Sequence, residues 1–123
     1  MRTTDSTLPT LRLSRPVWLI VGAAATVGVV MLGSPWLLAA WIAPDLAILA
    51  GGVNAVDARG RLSPAAVRGY NASHSLAGPV ALGLLGLLGI PAVLALAALW
   101  LSHIGIDRSL GYGLRAADGS QRG

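Results

Sequence analysis

The stretch PVWLIVGAAATVGVVML, residues 16–32, contains no charged residue. An α-helix of about 20 mainly apolar residues crosses the hydrocarbon core of a bilayer. The composition of the whole chain also indicates a membrane protein, because 54% of the 123 residues are hydrophobic and only 11% are charged. A soluble domain carries about 25% charged residues. The sequence therefore predicts an integral-membrane protein.

Three further apolar runs follow the first one and are separated by turn-forming residues. Gly33-Ser34-Pro35 and Pro91 mark two short connections, and a polar loop separates the second run from the third. The pattern predicts an all-α bundle of four transmembrane helices. The predicted helices cover about residues 16–32, 35–50, 66–90 and 91–110, within a membrane domain 16–114 that lies between a disordered cytoplasmic tail, 1–15, and a cytoplasmic tail, 115–123.

Two of these runs have a second interpretation. The first resembles a signal peptide, because Arg12 and Arg15 precede it, but the three later apolar runs favour a retained helix. The second is short and is interrupted by Pro44 and Asp45. A re-entrant or interfacial segment is the alternative to a full span there.

The arginines indicate the orientation of the four predicted helices. The chain has nine Arg and no Lys, and with four spans all nine fall on the side that holds both termini. The positive-inside rule then places both termini in the cytoplasm of a bacterium, with the protein multi-pass in its inner membrane. The bilayer is the expected partner. A nucleic-acid partner is not expected, because the arginines are dispersed without aromatic platforms between them.

Four side chains that can bind a metal interrupt the apolar sequence: Asp45, His74, His103 and Asp107. A charge at the bilayer centre costs about 2.5–3.5 kcal/mol, so such residues usually face partners inside the protein. In the four-span topology all four lie toward the cytoplasmic end, and His103 and Asp107 share one helical face at i, i+4. Imidazoles and carboxylates suit Zn, Mn or Fe. The sequence contains no Cys, which excludes thiolate ligands.

Other polar residues near these four are candidates for a second layer or for substrate contacts. They are Arg68, Tyr70, Asn71, Arg108 and Tyr112. The two arginines are placed to hold an anionic headgroup. A metal-free polar network is the alternative, in which Asp45 pairs with Arg68 and Asp107 pairs with His103.

Three strings carry a resemblance to known families. Ala43-Pro44-Asp45-Leu46, Tyr70-Asn71-x-x-His74 and the segment from His103 to Leu114 resemble a family of small bacterial membrane proteins, domain-of-unknown-function family 4260. That resemblance implies the four-helix membrane architecture and no particular activity. A looser resemblance, to inner-membrane metal-dependent hydrolases, rests on Pro44-Asp45, Ser73-His74-Ser75 and His103 to Asp107. Leu46 and Ala47 stand where those proteins have a second Asp, and Gly69, Tyr70 and Asn71 stand where they have another His.

Three functions are compatible with this sequence. The first is metal-assisted hydrolysis of a lipid or another membrane-proximal ligand. The second is a non-enzymatic membrane scaffold or partner subunit, whose polar cluster fixes helix register. The third is transport of a small solute, which is less favoured because the outer halves of the last two helices are rich in Leu and Ala. Glycines in these helices permit an oligomer without establishing one.

Overall fold

The computed structural model describes residues 12–121, which form an all-α structure. Within this range there is no β-strand, only isolated antiparallel bridges at Val56–Leu62 and Arg115–Gln121. The predicted all-α class is confirmed, and most of the predicted N-terminal tail, residues 1–11, lies outside the described range. The α-helices are α1 (Arg15–Leu32), α2 (Pro64–His74), α3 (Ala77–Leu87) and α4 (Pro91–Ser109), and the first and second 3₁₀ helices are Pro35–Ala40 and Ala43–Asn54.

Helices α1 and α4 form the tightest pairing in the fold, and they run antiparallel. Gly22 and Gly105 face each other at the crossing, where a Cβ on Gly105 would lie 2.7 Å from the Gly22 Cα. Small residues allow this approach, as they do between helices in membranes. The crossing buries Trp18, which is 4% exposed and lies beneath the Arg108 guanidinium.

Helix α3 packs antiparallel on the other side of α4. The connection turns at Gly89, whose φ of +117° is strained for any side chain other than glycine, and Pro91 begins α4. The Trp100 indole lies directly against Gly78. Helix α4 is therefore central, with α1 on one side and α3 on the other.

The predicted helix 66–90 is interrupted in the structure. Ser75 is extended, with φ −81° and ψ 154°, and separates α2 from α3. The cause is Pro79, because a proline inside a helix lacks the N–H that bonds the carbonyl four residues earlier, and its ring collides with that carbonyl. The residue four positions before Pro79 is Ser75.

The predicted helix 35–50 is also different in the structure. It consists of the two 3₁₀ helices, and the first ends at Ala40, four residues before Pro44. The same steric rule therefore excludes a continuous α-helix here. By length and composition, two helical segments within residues 12–121 could cross a membrane, namely Arg15–Leu32 and Pro35–Gly52.

Helix α2 packs against the second 3₁₀ helix and holds a small apolar core of Leu62, Ala66, Val67, Tyr70 and Ile48. The C-terminal segment closes over this core, with the Leu62 N–H donating to the Gly119 carbonyl at 2.9 Å. The turn before Leu62 is fixed by Asp57. The Arg61 backbone N–H and guanidinium, which both donate to this carboxylate, hold the pKa of Asp57 below its usual range.

Candidate metal centre

Three separate elements bring Asp45, His74, His103 and Asp107 together. Asp45 lies in the first turn of the second 3₁₀ helix, His74 ends α2, and His103 and Asp107 lie one turn apart on α4. The two imidazoles are buried, with His103 fully inaccessible. The Asp107 side chain is 18% exposed and that of Asp45 is 42% exposed. The cluster is thus buried on its histidine side and open on its Asp45 side.

Five of the six distances between the four candidate ligand atoms are close to those in a tetrahedral metal site. The His74 Nε2 atom lies 3.1 Å from both the Asp45 Oδ1 and the His103 Nε2, and 3.4 Å from the Asp107 Oδ2. The His103 Nε2 lies 3.4 Å from each of the same two carboxylate oxygens. A tetrahedral ion with bonds of about 2.0–2.1 Å separates its ligand atoms by about 3.3 Å. No two candidate ligand atoms are more than 4.8 Å apart.

A backbone carbonyl fixes the tautomer of His103. The Nδ1 of this ring lies 2.8 Å from the Trp41 carbonyl oxygen, which can only accept, so Nδ1 carries the hydrogen. The Trp41 carbonyl is free for this bond because Pro44, three residues later, has no N–H to complete the 3₁₀ pattern. In the neutral ring the Nε2 lone pair therefore points into the cluster.

His74 is oriented in the same way from the other side. Its Nδ1 lies 3.0 Å from the Tyr70 carbonyl, and its ring stacks on the Tyr70 ring with centroids 3.8 Å apart. The Ser73 hydroxyl donates to the Pro44 carbonyl at 2.9 Å and ties α2 to the Asp45 segment. Hydrogen bonds of this kind on the outer ring nitrogen are the usual support of a metal-binding histidine.

The two tautomers together determine what the centre can hold. The Nε2 atoms of the two rings lie 3.1 Å apart with two carboxylate oxygens beside them, and when Nδ1 carries the hydrogen on both rings, two nitrogen lone pairs face each other. Four electron-rich atoms converging in this way repel one another unless a cation lies between them. The donor set of two imidazoles and two carboxylates fits a divalent transition-metal ion.

The residues predicted for the second layer are only partly at this centre. Tyr70 and Arg108 touch His74, the latter through an Nη2 donor 3.3 Å from the His74 carbonyl. Asn71 instead faces the C-terminal segment, where it bonds the Arg115 backbone at 2.7 and 2.9 Å. Arg68 is exposed on α2, and within residues 12–121 it forms no ion pair with Asp45. Tyr112 lines the cleft described below.

Several supporting residues were not identified from the sequence. Trp41 orients His103, Ser73 joins α2 to the Asp45 segment, and the Trp100 indole donates to the Ser73 carbonyl. The last carbonyls of α2 need such partners because the helix breaks at Ser75. Pro44 and Pro79 are the sequence signals for these supporting contacts. Each proline lacks an N–H, so a nearby backbone carbonyl must accept a hydrogen bond from another donor.

A buried hydroxyl pair holds the Trp41 segment against α1 and α4. The Ser102 side chain is fully buried, lies 2.6 Å from the Thr26 hydroxyl and accepts from the Trp41 indole N–H at 3.1 Å. We predict that Ser102→Ala lowers the free energy of unfolding by about 1–3 kcal/mol, because the indole N–H loses its acceptor. Ser109→Ala is the matched control on α4, since that hydroxyl bonds only the Ile106 carbonyl. Equal free energies of unfolding for Ser102→Ala and Ser109→Ala in detergent would contradict this role.

A cleft too narrow to admit a water molecule lies beside the centre. It is lined by Tyr70, His74, Ile104, Asp107, Arg108, Tyr112 and Gly113. Two of the four candidate ligands therefore border it directly. The exposed Asp45 side chain is the route by which a molecule could approach the cluster.

A family model described as Domain of unknown function (DUF4260) matches residues 10–122, and the chain belongs to this family. No curated protein and no solved structure matches the chain. The looser likeness to metal-dependent hydrolases therefore gains no support from these comparisons.

Proposed function

We propose that this protein is an integral-membrane protein that binds one divalent metal ion through Asp45, His74, His103 and Asp107. The observation that carries the proposal is the convergence of the two Nε2 atoms, 3.1 Å apart, with two carboxylate oxygens, while the Trp41 carbonyl directs the Nε2 lone pair of the neutral His103 into the cluster. One divalent ion would satisfy all four ligand atoms and neutralise the two carboxylates. Within a low-dielectric bundle that neutralisation is worth far more than it is in water.

Zinc is the first candidate for this ion. Four nitrogen and oxygen ligands at tetrahedral spacing are typical of protein zinc sites, whereas Mn²⁺ favours six oxygen-rich ligands. The alternative is a metal-free polar network in which one of the two imidazoles is protonated. Metal analysis separates the two.

The metal proposal is tested on protein purified in detergent, without a chelator, from cells grown with ample zinc, manganese and iron. We expect about one divalent ion per chain, because all four ligands come from a single copy. Elemental analysis gives both the amount and the identity of the ion. Protein that is folded and retains no metal would refute the proposal.

We further propose that the chain crosses the inner membrane four times, with both termini in the cytoplasm. The apolar segments Arg15–Leu32 and Pro35–Gly52 would be the first two spans, α2 with α3 a broken third span, and α4 the fourth. Non-helical backbone at membrane depth is tolerated where it is buried in protein, and the break at Ser75 adjoins the polar cluster. All nine arginines would then lie on the cytoplasmic side.

Reporter fusions test this orientation. A reporter that is active only in the cytoplasm should be active when it is fused after residue 123 and inactive when it is fused at Gly89, in the predicted outer connection. Activity at Gly89, or a C-terminal fusion active only outside the cytoplasm, would contradict the four-span arrangement.

Metal-assisted hydrolysis of a membrane-proximal substrate is a second candidate function, favoured by the open side of the centre. Asp45 is 42% exposed, so a substrate could approach an ion bound there. A bound divalent ion would polarise a substrate oxygen as a Lewis acid. In the scaffold alternative the same four ligands would close the shell and fix three segments in place, as structural zinc sites do.

A further inference from the structure

The two candidate carboxylate ligands differ in the element that carries them. Asp107 lies one helical turn from His103 on α4, where residues 102–105 are all buried. Asp45 lies on the second 3₁₀ helix, and none of residues 41–52 is buried. A ligand on a buried stretch of α-helix keeps its position, because any movement would disturb close packing. That constraint acts on Asp107 and does not act on Asp45.

The two carboxylates also differ in their exposure. The Asp45 side chain is 42% exposed, compared with 18% for Asp107, although its Oδ1 atom lies only 3.1 Å from the His74 Nε2. A carboxylate that leaves an ion and enters water recovers its hydration, whereas one that is released inside the bundle does not. Release from a bound ion would therefore cost less free energy for Asp45 than for Asp107.

The backbone around Asp45 can stay in place while its side chain leaves the centre. The Pro44 carbonyl accepts a hydrogen bond from the Ser73 hydroxyl at 2.9 Å, and the Asp45 N–H donates to the Ile42 carbonyl, also at 2.9 Å. Rotation of the Asp45 side chain to another staggered rotamer would move its carboxylate away from the ion and keep both bonds. The vacated position has the size and shape of a carboxylate group, so an incoming carboxylate needs no cavity prepared in advance.

We propose that Asp45 is the exchangeable ligand of the candidate metal centre and that an external carboxylate takes its place. The inference rests on the proposed metal function and names the ligand class of that same site. His74, His103 and Asp107 would be the permanent ligands, since a zinc ion that binds other molecules usually has three protein ligands and one open position. These three ligands leave a divalent ion with one positive charge, which a carboxylate neutralises. The carboxylate could belong to a soluble acid or to a fatty acid.

Removal of each carboxylate in turn distinguishes the exchangeable ligand from the permanent one. Asp45→Ala should still contain about one zinc ion per chain in detergent, because three firmly held ligands remain. Asp107→Ala should bind zinc at least about tenfold more weakly than Asp45→Ala, because it must immobilise the more exposed side chain. Asp45→Asn repeats the measurement with the volume of the side chain retained.

The zinc content of the wild type is measured first and tests the metal proposal separately. If the wild type contains zinc and Asp45→Ala binds it no better than Asp107→Ala, Asp45 is not the exchangeable ligand. The proposed metal function would survive that result.

Cobalt-loaded full-length protein in detergent reports the exchange directly, because the visible spectrum of Co²⁺ depends on its ligands and geometry. Acetate is titrated as the soluble probe, and oleate in the same micelles is the lipid probe. A spectral change with acetate supports exchange with a soluble acid, and a change with oleate alone supports exchange with a fatty acid. Unchanged spectra with both probes, at constant cobalt content, would overturn the proposal.

The competition between the probe and Asp45 has a measurable size. Asp45→Ala should bind the active probe at least about tenfold more tightly than the wild type, because a tethered carboxylate no longer competes for the ion. Asp57→Asn is the matched control, since it removes an exposed carboxylate outside the cluster and should bind the probe as the wild type does. Equal affinities in Asp45→Ala and Asp57→Asn would show that the probe does not replace Asp45.

Discussion

His103→Ala is expected to abolish metal binding, with a loss of affinity well beyond a hundred-fold. Removing a residue that hydrogen-bonds a metal ligand lowers metal affinity by about 10–100-fold, and His103→Ala removes a candidate ligand itself. The cavity left by a fully buried ring adds a loss of stability. Elemental analysis of the purified variant, beside His74→Ala, measures the effect. Asp57→Asn is the control, since it alters an exposed carboxylate outside the cluster.

Thermal unfolding gives an independent measurement of the same prediction. A ligand that binds only the folded state stabilises it by about 2.7 kcal/mol at a hundred times its dissociation constant. Wild-type protein and Asp57→Asn should therefore melt at a higher temperature with zinc than with a chelator, whereas His103→Ala should show no difference. A zinc-dependent shift that persists in both histidine variants would mean that the ion binds elsewhere.

Gly105→Ala is expected to destabilise the fold by about 1–3 kcal/mol, the usual cost of overpacking a tight contact. The added Cβ would lie 2.7 Å from two backbone atoms of Gly22, so α1 and α4 must move apart. Because Gly105 lies between His103 and Asp107 on α4, this movement should also weaken metal binding. Unfolding in denaturing detergent, measured with and without zinc, reports both effects.

Gly28→Ala is the matched control for that helix crossing. Its Cβ would meet only the Ala98 Cβ, at an ordinary 3.6 Å, on the same pair of helices. Alanine also has a helix propensity about 1 kcal/mol better than glycine, so this variant should be neutral or slightly stabilised. If Gly105→Ala were equally well tolerated, the close approach of α1 and α4 would be wrong.

Local rules explain what the sequence alone could predict. The uncharged run at residues 16–32 predicts α1 almost residue for residue, because helix length and apolar content are properties of one segment. His103 and Asp107 share a face because a helix repeats every 3.6 residues. The breaks at Ala40 and Ser75 were also within reach, since Pro44 and Pro79 each exclude an α-helix four residues earlier. The predictions of continuous helices at residues 35–50 and 66–90 did not apply that rule.

Only the tertiary structure decided which polar residues meet. Asn71 and His74 are three residues apart on one helix, yet Asn71 bonds the Arg115 backbone and His74 joins Asp45 and His103. The tautomer of the neutral His103 likewise depends on the Trp41 carbonyl, which comes from a segment 62 positions away. Such contacts arise from many weak packing interactions between distant segments, and no short sequence pattern encodes them. The sequence by itself determined the apolar composition typical of membrane proteins, the position of the first helix, and the His and Asp side chains that are available to bind a metal. The packing of α4 against its neighbours decided that the four candidate ligands form one cluster.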